Sequence, residues 1–388
     1  MLAAVIVLGV GFLGGAAVDQ AFPDVLPSLV PGSSGRIEYA AYRQAVRIIE
    51  AHYYTSGFDS RKLTEASIGS LVGALGDPFS RYLTPDEYRQ QLQSYAGQLT
   101  GIGVYVDFTG PSPVITGVIP GGPAQSSGLR PGDTIVAVGG KSTRGVATGK
   151  VTSEIEGPAG SRVSLKVQRG SQQLEVTVTR KKLTVPSVIS TRFPNQILYV
   201  RIFNFQDTTA GELASQLKSG LPARGLILDL RGNPGGFIDQ AQKVVSQFIG
   251  GGVVFELQGR TGGIQKNDVT GRSHLATEVP MVVLVDANTA SAAEITAGAL
   301  QVRGRARLVG ERTFGKGEVE EDFPLLDGGD LHLTVERWLL PDGKSVQHVG
   351  LSPDVAVALG KGQMFDVVRP SAGHATDAPL NVALKLLG

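Results

Sequence analysis

The chain has 388 residues, enough for about two or three domains and a sizeable core. Its 36 Lys and Arg nearly balance 35 Asp and Glu, for a net charge of +1 with no long basic run, which argues against a nucleic-acid surface. There is no cysteine, so thiol catalysis, thiolate metal sites and disulfides are excluded; the five scattered histidines show no HExxH spacing, and neither a metal nor an organic cofactor is implied.

Taken in chain order, residues 1–18, "MLAAVIVLGVGFLGGAAV", are uncharged and end at Asp19. They predict a signal peptide's apolar region or a membrane anchor, although the usual basic start is missing and the first Lys or Arg is Arg36. A buried core helix fits poorly, because a Pro/Gly/Ser linker follows over 19–36. The expectation is export: a working part in the cell envelope, outside the cytoplasm in a periplasm-like space, anchored or secreted.

Residues 37–98 form an expected helical region, since "IEYAAYRQAVRIIEAHYY" and "SRKLTEASIGSLVGAL" carry apolar residues at helical spacing. A turn in "GDPFSRYLTPDEY" precedes another helix from about Pro85. Over 99–182 the pattern changes to short strands, two helix candidates and a closing hairpin, "SRVSLKVQRG" with "QQLEVTVTR". This stretch, above all "SSGLRPGDTIVAVGG", resembles a PDZ domain. The resemblance implies that a peptide's C-terminus adds as a strand beside Gly103–Asp107. Its carboxylate would meet backbone N–H groups of Leu99, Thr100, Gly101, Ile102, Gly103 and Val104. A small β-domain serving only as a spacer is the plainer alternative.

Residues 183–360 alternate apolar strands ("QILYVRI", "GLILDL", "MVVLV", "ARLVG") with helices ("FIDQAQKVVSQFI", "SAAEITAGALQVR"), which predicts an α/β core. Residues 361–388 are a tail and helix whose "PLNVALKLLG" suits either self-association or packing on the core.

Two strand-to-helix junctions carry candidate chemistry. In "LDLRGNPGGF", Gly235 and Gly236 are expected to open a helix with free N–H groups. In "VLVDANTASAAEI", Ser291 stands at a helix start where the N–H groups of Ala292 and Ala293 are expected to be free. Brought together, the two junctions would form an anion pocket, in acyl transfer an oxyanion hole. Alone, Ser291 reads first as an N-cap, the commoner job for serine at such a place, with Glu294 at capping-box spacing. Lys316 changes the balance. In "RTFGKGEVEE" it lies between Gly315 and Gly317, so that backbone can pack around its stem, with Phe314 as an apolar wall. A desolvated neutral lysine can serve as base to a serine, which makes Ser291 and Lys316 a candidate dyad.

"LGDPFSRYLTPDEY", "LDLRGNPGG", "TASAAEITAGAL", "GRARLVGERTFGKG" and "LPDGKSVQHVGLSPDV", in that order, resemble the carboxyl-terminal processing (tail-specific) proteases of the S41 serine peptidase family, which embed a PDZ domain. The resemblance covers nearly all the chain after the linker. It implies a multidomain α/β protein: an N-terminal helical region, a PDZ β-domain and a crotonase/ClpP-like protease core. It implies Ser291 as nucleophile, Lys316 as general base, and N–H groups of Ala292 and Gly236 or Gly235 holding the oxyanion. Protein or peptide substrates with free C-termini, membrane contact through the N-terminal segment and a homo-oligomer in some relatives also follow from it.

Three positions depart from the family pattern. Glu320 stands where a glutamine usually orients the lysine, Val302 replaces the aspartate of "ALQD", and Glu156 replaces the arginine of "IRG". Glu320 leaves room for a silenced PDZ-containing binding protein on the same fold. A trypsin-like protease would need serine where "GNPGG" has proline, and an early His/Asp pair.

Overall fold

The computed structural model describes residues 39–358 and 377–388, apart from positions 56, 109, 194, 272 and 273. The expected signal or anchor (1–18) and linker (19–36) lie outside the described residues. Among those described, no helix is long and apolar enough to cross a membrane.

The chain divides after Thr64 into two units. In the first, Tyr39–His52 is a helix on which Tyr39, Tyr42, Val46 and Ile49 recur at helical spacing and remain exposed. The helix Ser60–Gly73 straddles the division. The second unit holds everything that follows. Its helix Pro85–Tyr95 starts where the sequence predicts, because Thr84 caps it, Glu87 returns a bond to Thr84 N–H at 2.9 Å, and Pro85 fits the first turn.

The chain enters and leaves the β-domain side by side, with Gln98–Gly101 antiparallel to Lys181–Thr184. Between them the sheet runs in the order Val104–Asp107, Val114–Val118, Thr134–Val138, Arg162–Arg169, Gln172–Thr179. Alternating residues such as Val163, Leu165 and Val167 turn inward onto Ile102, Ile115 and Ile135. The helices Pro123–Ser126 and Thr148–Ile155 complete this domain.

The α/β region is built on a six-stranded sheet, ordered Val188–Arg192, Ile197–Ile202, Gly225–Asp229, Met281–Val285, Arg307–Gly310, Val355–Ala356. Only the first pair is antiparallel. The central strands are buried on both faces, which is why they read as unbroken apolar runs. One face, with Leu198, Val200, Leu226, Leu228 and Val283, packs in a core with Leu213, Leu217, Val244 and Ile295 from the helices Thr209–Gly220, Ile238–Val245 and Ala292–Val302. The other, with Ile197, Tyr199, Ile227 and Leu284, takes Leu380 and Ala383 of the C-terminal helix Ala378–Leu386. Of the two roles open to that helix, packing on the core is the one observed.

A second sheet, unforeseen from sequence, joins Arg81–Leu83, Asp330–Leu339, Val253–Gly259 and Ile264–Asp268. Glu318–Pro324 also pairs with Asp330–Leu339, so Lys316 sits just before a hairpin.

Candidate active site

The segments after Gly225–Asp229 and Met281–Val285 lock together at the carboxyl ends of adjacent parallel strands. Asp286 accepts Gly232 N–H at 2.8 Å, Thr289 Oγ1 donates to Leu230 O at 2.9 Å, and Ala290 N–H donates to Asn233 O at 2.9 Å. Gly235 is needed for the close approach: a Cβ there would stand 2.7 Å from Ser291 Cβ and 3.0 Å from Ala292 N. A Cβ on Gly236 would lie 2.2 Å from Phe205 O.

Ser291 is 8% exposed and precedes the helix Ala292–Val302, but its backbone is not that of an ordinary cap. Capping residues are typically extended, whereas Ser291 has φ 53° and ψ −121°. A side chain held there costs on the order of 1–3 kcal/mol.

Two of the four expected N–H donors are used within the junctions themselves. Gly235 N–H donates to Asn233 Oδ1 at 2.9 Å, and Ala293 N–H to Ala290 O at 3.0 Å. The first helix starts at Ile238, so the glycine pair is a turn closed by the Asn233 side chain and not a helix end. The N–H groups of Gly236 and Ala292 have no acceptor among the described residues.

Glu294 ties the two halves of the site together. Its fully buried carboxylate accepts from Ser291 N–H at 3.0 Å, Thr313 Oγ1 at 2.5 Å, Gly315 N–H at 2.8 Å and Lys316 N–H at 2.9 Å. Burial pushes its pKa up, against the pull of these four donors. The spacing from Ser291 suggested only a cap; the bonds to residues 313–316 required the fold.

The side chains of Ser291, Lys316 and Glu320, with Gly236, line one cavity of about 440 Å³. Lys316 Nζ donates to Glu320 Oε2 at 2.9 Å and lies 4.7 Å from the centroid of the Phe79 ring. The carboxylate and the ring face both give the lysine head an electrostatically complementary contact. Among the described residues no hydrogen bond joins Lys316 to Ser291.

The expected wall, Phe314, points away and is 56% exposed. Phe79 replaces it, presented by a turn in which Asp77 accepts from Phe79 N–H and Ser80 Oγ. The flanking glycines also serve another purpose than clearing the lysine stem. Gly315, at φ +87°, lies so close to the segment 346–350 that a Cβ would come 2.7 Å from Gly350 N. Gly317 packs similarly on Gln347.

In the β-domain, Val104–Asp107 is an edge strand that, among the described residues, pairs only with Val114–Val118. Beside it is a cavity of about 240 Å³ lined by Gly101, Ile102, Gly103, Val104, Ile155 and Glu156, among others. Leu99 and Thr100 lie in the ribbon with Lys181–Thr184. The Glu156 carboxyl is half-buried, and burial pushes its pKa up. Tyr105 on the edge strand stacks on Phe203, ring centroids 4.5 Å apart, two residues before the Phe205 that packs on Gly236.

Residues 196–357 match the model of peptidase family S41, and residues 114–169 match a PDZ domain. A photosystem II D1 C-terminal processing protease superposes with a TM-score of 0.55 at 30% identity, covering 80% of this chain and 86% of that one. The chain belongs to peptidase family S41. A probable CtpA-like serine protease of Staphylococcus haemolyticus is 35% identical over 340 residues, 84% of this chain and 67% of the relative. That of Staphylococcus aureus strain N315 is 35% identical over 329 residues, 83% of this chain and 65% of the relative, so the matched stretch falls short of two thirds of its length. A putative S41 protease from Bacteroides fragilis, 19% identical, shares the fold with a TM-score of 0.59 over 92% of this chain. The S41 core with a PDZ domain is the architecture that the motifs implied.

One cluster among the described residues could hold a metal ion, Asp322, Asp330 and His332. Burial and the neighbouring Asp322 push the Asp330 carboxyl up to about 6. Asp322 and His332 line the same cavity as Ser291, with His332 Nδ1 2.6 Å from Asp322. No hydrogen bond joins His332 to Ser291 among the described residues.

Proposed function

We propose that this chain is a serine endopeptidase that cuts proteins near their C-termini, with Ser291 as nucleophile and Lys316 as general base. The observation that carries the reading is the shared carboxylate of Glu294, which bonds the main chain of both residues while their side chains line one cavity. In the reaction, the neutral Lys316 amine takes the Ser291 Oγ proton as the oxygen attacks the scissile carbonyl. The N–H groups of Gly236 and Ala292 hold the oxyanion, a contribution of about 3–4 kcal/mol per donor. The Lys316 ammonium then protonates the departing amine, and water hydrolyses the acyl-serine ester by the same route. Because Lys316 is paired with Glu320 here, the described arrangement is a resting one, in which the amine must turn from that contact toward Ser291 Oγ.

The substrate's tail is read by the β-domain: its last residues extend the sheet at Val104–Asp107, and its carboxylate meets the loop at Gly101–Gly103. The uncharged run at residues 1–18 supports work outside the cytoplasm, anchored or secreted, and the exposed apolar stripe of Tyr39–His52 supports self-association.

The test is cleavage of an unstructured protein. Ser291→Ala and Lys316→Arg should each lower kcat/KM by at least about a thousandfold with the fold intact. Arginine cannot give up its proton, so robust cleavage by Lys316→Arg sinks the lysine-base assignment. The ion pair of Lys316 with Glu320 favours a second reading, a silenced receptor for protein tails. Tail binding by the wild type with no turnover at any pH would select it.

A further inference from the structure

The hairpin of Glu318–Pro324 and Asp330–Leu339 places three ligand-type side chains on one face. Asp322 is the direct cross-strand partner of His332, and Asp330 lies two residues from His332, so all three project the same way. Their ligand atoms, a carboxylate oxygen from each aspartate and an imidazole nitrogen, lie within 4.8 Å of one another.

Asp330 is the telling member. It is 0% exposed, and among the described residues neither of its carboxylate oxygens has a hydrogen-bond donor other than a proton shared with Asp322. A buried carboxylate without donors is costly, and here its neighbour is a second carboxylate. The cluster also has outer support: Gln91 Nε2 donates to both oxygens of Asp322, at 3.2 and 3.3 Å. Such bonds orient metal-binding carboxylates. Arg81, the cross-strand partner of His332 on its other side, bonds Gln91 and not Asp330.

We propose that Asp322, Asp330 and His332 form a binding site for one divalent first-row transition ion in the wall of the cleft. Two hard oxygens and one imidazole suit Zn²⁺, Mn²⁺ or Co²⁺ better than Ca²⁺ or Mg²⁺. Ligand atoms around such an ion stand about 3.4 Å apart at bond lengths near 2.1 Å, so the ion would replace the 2.6 Å contact of His332 Nδ1 with Asp322, displacing any proton on Nδ1, through side-chain adjustment alone. His332 would ligate through Nδ1, with its proton on Nε2. Asp322 and His332 face the cavity that holds Ser291, so the ion's remaining positions open toward the cleft.

The experiment is titration of the chelator-stripped full chain with Zn²⁺ by calorimetry and with Co²⁺ by visible absorption. One saturable Zn²⁺ per chain is expected, with d–d bands that His332→Ala and Asp330→Asn abolish. Gln91→Ala should weaken binding by about 10–100-fold, as loss of a partner that orients a ligand does. The chain carries other histidines, so binding that survives His332→Ala overturns the proposal. So does an unmutated chain that binds neither ion, in which case Asp330 is compensated by a proton alone. His332 is less buried than Asp330, so its variant keeps the test valid if Asp330→Asn does not fold.

Discussion

Lys316 meets two opposing demands. To act as a base it must lose a proton, yet its Nζ is 2.9 Å from Glu320 Oε2 and faces the Phe79 ring. Glu320 is only 9% exposed at its side chain, so solvent screens the pair weakly. A neutral amide at 320 keeps a hydrogen-bond acceptor for Lys316 and removes the carboxylate charge that holds its Nζ away from Ser291. Glu320→Gln should therefore raise kcat/KM on an unstructured protein at neutral pH. Cleavage lowered by the substitution would remove this restraining role from Glu320. The size depends on the local dielectric, so the sign is the informative part.

At the scale of elements, the groove beside Val104–Asp107 carries a charge of its own. Glu156 ends the helix Thr148–Ile155, half-buried in the lining, with its pKa raised by burial. A tail bearing Lys or Arg near its end should bind better than a neutral one by about two- to fivefold, the strength of a partly exposed ion pair. Glu156→Gln should erase that preference in fluorescence anisotropy while the binding of neutral tails stays the same. The sequence made the buried central strands, the helix from Pro85 and the paired junctions legible, because each writes its burial into a short local pattern. The second sheet was not. Its strands "EVEEDFP" and "DLHLTVERWL" are rich in charge and half-exposed, so their pattern is that of no buried element. Phe79 was illegible for another reason: it reaches Lys316 across more of the chain than any local motif spans. Glu294 showed its spacing to Ser291 but not its bonds to Thr313, Gly315 and Lys316.

Across the whole molecule, the strand that leads into "RGNPGG" is anchored by a buried ionic network. Asp229 accepts from Tyr199 Oη at 2.6 Å, from Arg201 Nη1 at 3.1 Å and from Arg231 Nη2 at 2.6 Å. Arg231 also pairs with Asp377, which caps the C-terminal helix through Leu380 N–H. One guanidinium thus joins the strand that leads to the candidate site to the C-terminal helix. Asp377→Ala leaves that cation half-compensated and uncaps the helix, and should cost about 3–5 kcal/mol in denaturant unfolding. Although burial opposes it, the charge of Arg231 and Arg201 holds Asp229 down at about 2, below its ordinary 3.8. A depressed carboxylate stabilises the fold above its unfolded pKa, and that stability is lost as pH falls toward the folded one. The wild-type melting temperature should accordingly drop between about pH 4 and pH 2.

The backbone of Ser291 bears on the chain's history. At φ 53° and ψ −121° glycine would sit without strain, while any larger residue is held there against its preference. Ser291→Gly should consequently melt higher than Ser291→Ala, by roughly 1 kcal/mol once glycine's extra freedom in the unfolded chain is subtracted. A lineage with no use for the hydroxyl would find that glycine by drift, since it is a gain in stability at no functional cost. Serine at a conformation that burdens it fits a hydroxyl in use better than it fits the silenced receptor.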